Sequence, residues 1–415
     1  MRMCLMQAES SKNFSDWLVN EGPRVAGVPG LIVGVADKLN SLGFEIIRIS
    51  IMVRTLHPEI ESIRFGWIAE HSDIPPIGQP FFLKKRITPV GKETVEEISF
   101  SHGAFARSAP YQISPYKKLE LGAREVHSPV NEAGNEFPIL DDIRLGGGTD
   151  YFLFALPKLG ETGHRVSFAT KRSGGFNEEQ LQLIRDTASH FALAMEVQVN
   201  RLITENLLAV YLGQLPAQKV LAGTIKPGDV EEITSAIWFS DLRGFTVLSQ
   251  ATASGELIDW LNTYFETISK PIIENGGEIL KYIGDAVLAI FPVENGDAAA
   301  ASERALKAAQ SANAAVREMN DKREQGGFPP IRHGIALHIG DVQYGNIGAN
   351  RRLDFTVIGP AVNKASRVEG LCKVTGRDLL MSSDFAGHIP GAREVGEFPL
   401  KGIAQPEKIY APAGA

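Results

Sequence analysis

The feature that most constrains the fold of this chain is a long helical pattern near its centre. Asn177 can cap it, and Gln180 three residues on completes a reciprocal capping pair. Apolar residues then recur at Leu181, Ile184, Ala188, Phe191, Met195, Val199 and Leu202, in steps of three and four. The pattern runs loosely to Leu212 and is broken by Gly213 and Pro216. Its length, and its place between two differently patterned blocks, favour a parallel two-stranded helix in a dimer. The 415 residues are therefore read as a regulatory domain at 1–176, a helical linker at 177–230 and a second domain at 231–415.

In the first block, Trp17–Asn20 and Leu31–Leu42 carry helical spacing. Glu45–Leu56, Ile63–Glu70, Tyr151–Leu156 and Arg165–Thr170 read as strands. Gly146–Gly148 and Gly174–Gly175 punctuate turns, and the whole predicts an α/β domain around an antiparallel sheet. From Glu231 the order is strand (Ile233–Phe239), helix (Ser254–Ile273) and two strands across Ile279–Phe291. A helix (Ala298–Asn320), a strand (Ile331–Ile339), a helix (Ala361–Leu371) and three short strands follow. That alternation predicts an α+β fold with a mixed or antiparallel sheet and helices largely on one face.

Forty-two basic against forty-nine acidic residues leave a net charge of −7. This balance argues against binding to nucleic acid or an anionic membrane. Two cysteines, Cys4 and Cys372, are too few for a disulfide framework or a Cys-rich zinc site. No apolar run reaches the ~20 residues of a membrane span, and the N-terminus turns polar too early for a signal peptide. The expected location is the cytoplasm.

Two aspartates fall at strand ends. Asp241 closes Ser235–Asp241, and Asp285 follows the turn in Leu280–Ala286. Paired carboxylates in such positions can hold hard cations that bridge phosphates. Beyond Asp241, Gly244 permits close backbone approach, and the Phe245 and Thr246 amides would open a helix whose N-terminus suits phosphate. Asn363 and Arg367, four apart, share one helix face, and an amide beside a forked guanidinium suits a ribose and a phosphorus transition state.

Taken in order, FSDLRGFT, EILKYIGDAVLAIF, HIGDVQYGNIG, DFTVIGPAVNKASRVE and FPLKG resemble the catalytic domain of class III nucleotidyl cyclases. The resemblance covers about residues 231–412 and implies a ferredoxin-like core working as a homodimer, with active sites across the subunit interface. It implies ATP as substrate and two Mg²⁺ or Mn²⁺ ions per site, held by Asp241, Asp285 and the Leu242 carbonyl. Lys281 and Thr356 match the purine-selecting pair, Asn363 the ribose-orienting residue, Arg367 the transition-state arginine and Lys401 the terminal-phosphate lysine. Pro360 stands where many members have Asp or Asn.

Lys281 can only donate, which fits adenine N1, and the Thr356 hydroxyl can accept from N6. Guanylyl members typically carry Glu and Cys there, so the pair implies ATP over GTP, with guanylate cyclase the alternative. A non-catalytic sensor or dimerisation module is the other alternative. Thr in place of the more usual Asp resembles the subgroup that includes bicarbonate-responsive cyclases. Residues 1–200 more loosely resemble a GAF-type sensor, most clearly at VSFATKRSGGFNEEQLQLIRDTASHFALAMEV, which implies an unidentified small-molecule effector.

Overall fold

A computed structural model divides the chain into two units, Met1–Leu207 and Leu208–Ala415. The structure describes all residues except 1, 71, 76–81, 132–133, 158–162, 246–253, 350, 404 and 414–415, and the side chains of 2–10, 105 and 254.

The first unit opens with α1 (Arg2–Asn20), α2 (Gly27–Ser41), β1 (Ile46–Arg54), β2 (Ile60–Ile68), β3 (Lys84–Val90) and β4 (Glu93–Ser101). Three short helices follow, α3 (Ala104–Arg107), α4 (Ala109–Gln112) and α5 (Pro115–Glu120). Then come β5 (Glu125–Pro129), α6 (Pro138–Leu145), β6 (Asp150–Ala155), β7 (Arg165–Thr170) and α7 (Glu178–Leu212). The strands form one antiparallel sheet in the order β3-β4-β2-β1-β7-β6-β5. β3 escapes sequence reading because Lys84–Arg86 are exposed on an edge strand and offer no apolar alternation.

The capping pair of α7 forms as expected. The Asn177 side chain accepts from the Gln180 amide at 2.8 Å, and the Gln180 side chain accepts from the Asn177 amide at 3.1 Å. The expected two-stranded seam is corrected over residues 181–199, where the stripe packs within its own unit. Leu181, Ile184, Phe191, Met195 and Val199 are buried in the core of their own unit, with Ala188 and Leu202 packed at its edge. They meet Ile49, Ile51, Phe65 and Phe168 on one face of the sheet. Steps of three and four specify only an apolar stripe, and here an apolar sheet face covers it.

The second unit begins with α8 (Gln214–Leu221), β8 (Val230–Leu242), α9 (Ser254–Glu274), β9 (Glu278–Ile283) and β10 (Ala286–Pro292). It continues with α10 (Ala298–Gln325), β11 (His333–Ala349), β12 (Arg352–Ile358) and α11 (Pro360–Thr375), and closes with β13 (Leu379–Ser382), α12 (Ser383–Ala386), β14 (Arg393–Phe398) and β15 (Glu407–Ala411). The mixed sheet runs β14-β15-β13-β11-β8-β10-β9, and β12 pairs with the second half of β11. Trp238, Val287, Phe291 and Leu337 face α9 and α10, packing on Tyr264, Ile268, Ala305 and Ala309. The alternate residues Ile237, Leu288 and Ile290 face the other way, in one cluster with Ala361 and Ala365 of α11. Helices thus cover both faces, which corrects the one-face expectation: β8, β10 and β11 are apolar on both sides and cannot leave either to water. No described helix is long and apolar enough to cross a membrane.

β12 folds with the end of β11 towards β9. Phe355 stacks edge-on against Tyr344 with ring centres 5.0 Å apart, and the Tyr344 hydroxyl donates to Glu278 at 2.9 Å. Burial pushes the Glu278 carboxyl up to about 7. Its folded value lies above the ordinary one, so stability is lost as pH rises from about 4.5 to 7 and stays lost above. Glu278→Gln keeps a partner for Tyr344 without the charge. It should therefore stabilise the second unit by about 1–3 kcal/mol at pH 8 and by nearly nothing at pH 4. Slower hydrogen exchange of the β9 and β11 amides in the variant, at pH 8 only, is the expected reading.

Candidate active site

The two strand-end aspartates come together because β8 and β10 are antiparallel neighbours. Val287 pairs with Ser240, and the residues just beyond that pair lead to Asp241 on one strand and Asp285 on the other. Asp285 sits in the two-residue turn between β9 and β10, which Gly284 makes possible by adopting φ 66°. The Asp241 carboxylate accepts from the Leu242 amide at 3.0 Å. Its carboxyl is held up to about 6 by burial and by the neighbouring Asp285 carboxylate. Two carboxyl groups this close need a shared proton or a cation between them. Hard oxygen donors at this spot fit a divalent ion such as Mg²⁺ or Mn²⁺, with no third side-chain ligand completing a cluster among the described residues.

A third acid, Glu369, was not singled out from the sequence. It projects from α11 over Gly334, the β11 residue that pairs with Asp241; a Cβ on Gly334 would lie 2.4 Å from the Glu369 carboxylate. Burial, then Asp241, push its carboxyl up to about 7. The available signal was its place beside the stripe Ala361, Ala365, Val368 and Cys372, which is buried against the sheet.

Lys281 lies on β9 and Thr356 on β12, the two strands that the fold of the β11–β12 pair brings together. The Lys281 ammonium donates to Asp354 at 3.3 Å. Asp354 and Thr356 are two apart on one strand and share a face, a period-2 signal that sequence reading passed over. Thr356 is 3% exposed, and its hydroxyl has no hydrogen-bond partner among the described residues. A buried hydroxyl without a partner costs about 1–3 kcal/mol, so this one is poised for a group that the protein does not supply.

Asn363 and Arg367 are on α11. At about 100° per residue they lie on the far side from its buried stripe, Asn363 exposed and Arg367 half-buried. The Arg367 guanidinium reaches the loop before β15, where a Cβ on Gly402, at φ 75°, would lie 3.5 Å from its Nη2. Lys401 is exposed in the same turn, so one arginine and one lysine converge there. Within one chain, α11 therefore separates Arg367 from the sheet face that carries Asp241, towards which Glu369 projects from the same helix. Gly244 has φ 77° with open space around it, and Phe245 is helical; Thr246 lies outside the described residues.

Residues 227–381 match the family model described as the adenylate and guanylate cyclase catalytic domain. An adenylate cyclase of Anabaena cylindrica is 30% identical over 289 residues, covering 64% of this chain and 56% of that protein. Adenylate cyclase 1 of Rhizobium meliloti (strain 1021) is 29% identical over 187 residues, covering 44% of this chain and 28% of that protein. The chain thus spans about half or less of the length of these relatives. Among solved structures, the adenylyl cyclase CyaB from P. aeruginosa is 30% identical, over 44% of this chain and 94% of that one, with a TM-score of 0.38. Residues 227–381 belong to the family of adenylate and guanylate cyclase catalytic domains.

Proposed function

We propose that the chain is an adenylate cyclase, converting ATP to 3′,5′-cyclic AMP and pyrophosphate, with the first unit as a GAF-like regulatory domain. The observation that carries the catalytic reading is the convergence of Asp241, at the end of β8, with Asp285, in the turn that leads into the neighbouring β10. Asp241, Asp285 and the Leu242 carbonyl would hold Mg²⁺ or Mn²⁺, two ions per site; bound there, such ions acidify the ribose 3′-hydroxyl and neutralise phosphate charge. Lys281, held by Asp354, donates to adenine N1, and the unpartnered Thr356 hydroxyl accepts from N6. Asn363 orients the ribose. Arg367 meets the charge that develops at the α-phosphoryl group as the 3′-oxygen bonds to phosphorus and pyrophosphate leaves. Lys401 holds the terminal phosphate, with Gly244 and the Phe245 and Thr246 amides lining the phosphates.

The position of α11 between Arg367 and the aspartates supports a homodimer in which each site takes its carboxylates from one copy and its arginine from the other. Sheet order β4-β2-β1-β7-β6-β5, with α7 packed across one face, supports the GAF-like reading of the first unit. A regulatory first unit that takes in α7 as far as its packed residues, a helical linker beyond them, a catalytic domain from 231 and a cytoplasmic location belong to the same proposal.

The direct test incubates purified protein with ATP and identifies the product by mass spectrometry. Cyclic AMP and pyrophosphate should form with Mg²⁺ or Mn²⁺ and stop on adding a chelator; no cyclic product with either ion would overturn the reading. Base selection has its own test. Lys281→Glu with Thr356→Cys inverts the donor and acceptor pattern, so the ratio of GTP to ATP turnover should rise by at least tenfold. An active double variant with an unchanged ratio would remove these two residues from base recognition.

A further inference from the structure

The two faces of the first unit's sheet differ in kind. One carries the apolar core described above, with Arg86 and Glu97 towards its β3–β4 edge. The other carries Arg48 and Ser50 of β1 and Arg64 of β2; the register sets Arg64 opposite Met52, diagonal to Ser50 and four positions along from Arg48, and all three reach one cavity. These are not surface residues: Arg48 is 4% exposed, Arg64 5% and Ser50 1%. They border a cavity of about 400 Å³ between the sheet and the helices of residues 109–116 and 138–142.

Four polar atoms of that lining have no partner among the described residues: Arg48 Nη1, Arg64 Nε, the Ser50 hydroxyl and the Tyr116 hydroxyl. No salt bridge joins Arg48 to an acid among the described residues, whereas Arg64 donates to Glu96 at 2.6 Å. Burial, then the neighbouring Arg48 charge, lower the Arg64 guanidinium to about 10. Arginine can only donate, so an acceptor must meet these atoms, and a charged acceptor forms the strongest bonds to guanidinium. Leaving such donors buried and empty is costly. The wall also carries Asp142, which disfavours a dianion such as phosphate and favours a single negative charge. Met52, Ile113, Ile139 and the Tyr151 ring supply an apolar surface for the rest of a molecule, and the volume is that of a small-molecule site.

We propose that this cavity binds a small organic acid, its carboxylate seated on Arg48 and Arg64 with the Ser50 and Tyr116 hydroxyls, and its apolar body against Met52 and Ile139. The inference names the chemical class of the effector in the regulatory reading above, yet binding is measured independently of cyclic AMP. A compound that binds without changing cyclic AMP output leaves the site standing and removes only its regulatory role.

The test titrates the full chain with fluorinated probes followed by fluorine NMR. The probes are para-fluorobenzoate and para-fluorophenylacetate as acids, para-fluorobenzamide as the neutral analogue and para-fluorophenyl phosphate as the dianion. At least one acid should saturate one site with Kd of roughly 1 mM or tighter, and the amide should bind at least tenfold more weakly. Arg48→Met should weaken the acid at least tenfold; because Arg48 also offsets the Asp142 carboxylate, the unfolding temperature of the ligand-free variant is measured alongside. Should that variant not fold, Ser50→Ala and Tyr116→Phe answer instead, each weakening the acid about threefold or more. The proposal is overturned if neither acid saturates, if the amide binds as tightly, if the phosphate binds more tightly than both acids, or if affinity survives in the folded variants.

Discussion

Asp241→Asn and Asp285→Asn are each expected to lower cyclic AMP formation by at least about a hundredfold, the usual scale for losing a group that stabilises transition-state charge. The argument is local. Both carboxyls converge at the mouth of β8, and each is an oxygen donor that Asn reproduces in shape but not in charge. Stability should move the other way. The Asp241 carboxyl is held up to about 6, above its ordinary value, so above pH 6 its charge opposes folding in the metal-free protein. Removing that charge should leave the metal-free unfolding temperature unchanged or higher at pH 8. A variant that folds at least as well as the parent yet turns over at a hundredth of its rate separates catalysis from structure. Retention of most activity in either folded variant would sink the two-carboxylate assignment.

Mixing Asp241→Asn with Arg367→Ala should restore activity that neither variant has alone. Within one chain Asn363 and Arg367 face away from the sheet that carries the acids. If a site draws its carboxylates from one copy and its arginine from another, a mixed dimer places both lesions in one site and none in the other. Random pairing makes half the dimers mixed, each with one intact site of two, so about a quarter of parental activity should return. The assay follows cyclic AMP after subunit exchange, verified by mass spectrometry of differently tagged copies. Exchange without recovery would require that each site be built from a single chain.

What could be read from the sequence differs sharply between the two units. Asp241 and Asp285 were legible because each ends an apolar run, where a carboxylate has no role in packing. Asn363 and Arg367 were legible as a shared helix face. Asp354 was passed over although period-2 spacing puts it beside Thr356, because its partner Lys281 lies on a strand brought near only by the fold of β11 and β12. Glu369 was hidden because an acid on a helix reads as solvent-facing until the glycine beneath it is seen. In the first unit, Glu45–Leu56 was read correctly as a strand, but its alternating Arg48 and Ser50 look like the wet side of a half-buried sheet. Only the covering helices show that this side is dry. The seam of α7 was misassigned over residues 181–199 for a related reason: a heptad-like stripe specifies that something apolar must cover it, not which surface does.

The measurement that bears most directly on the central claim is a competition in one tube. Purified protein is given equal ATP and GTP with Mg²⁺ or Mn²⁺, and cyclic AMP and cyclic GMP are quantified together by mass spectrometry. In the proposed site Lys281 would donate to adenine N1 but meet a second donor at guanine N1, while the Thr356 hydroxyl can accept from N6 or donate to O6, so the lysine mismatch alone costs about 1–3 kcal/mol. The account predicts cyclic AMP in roughly tenfold excess or more over cyclic GMP; cyclic GMP in excess, or neither product, would contradict it.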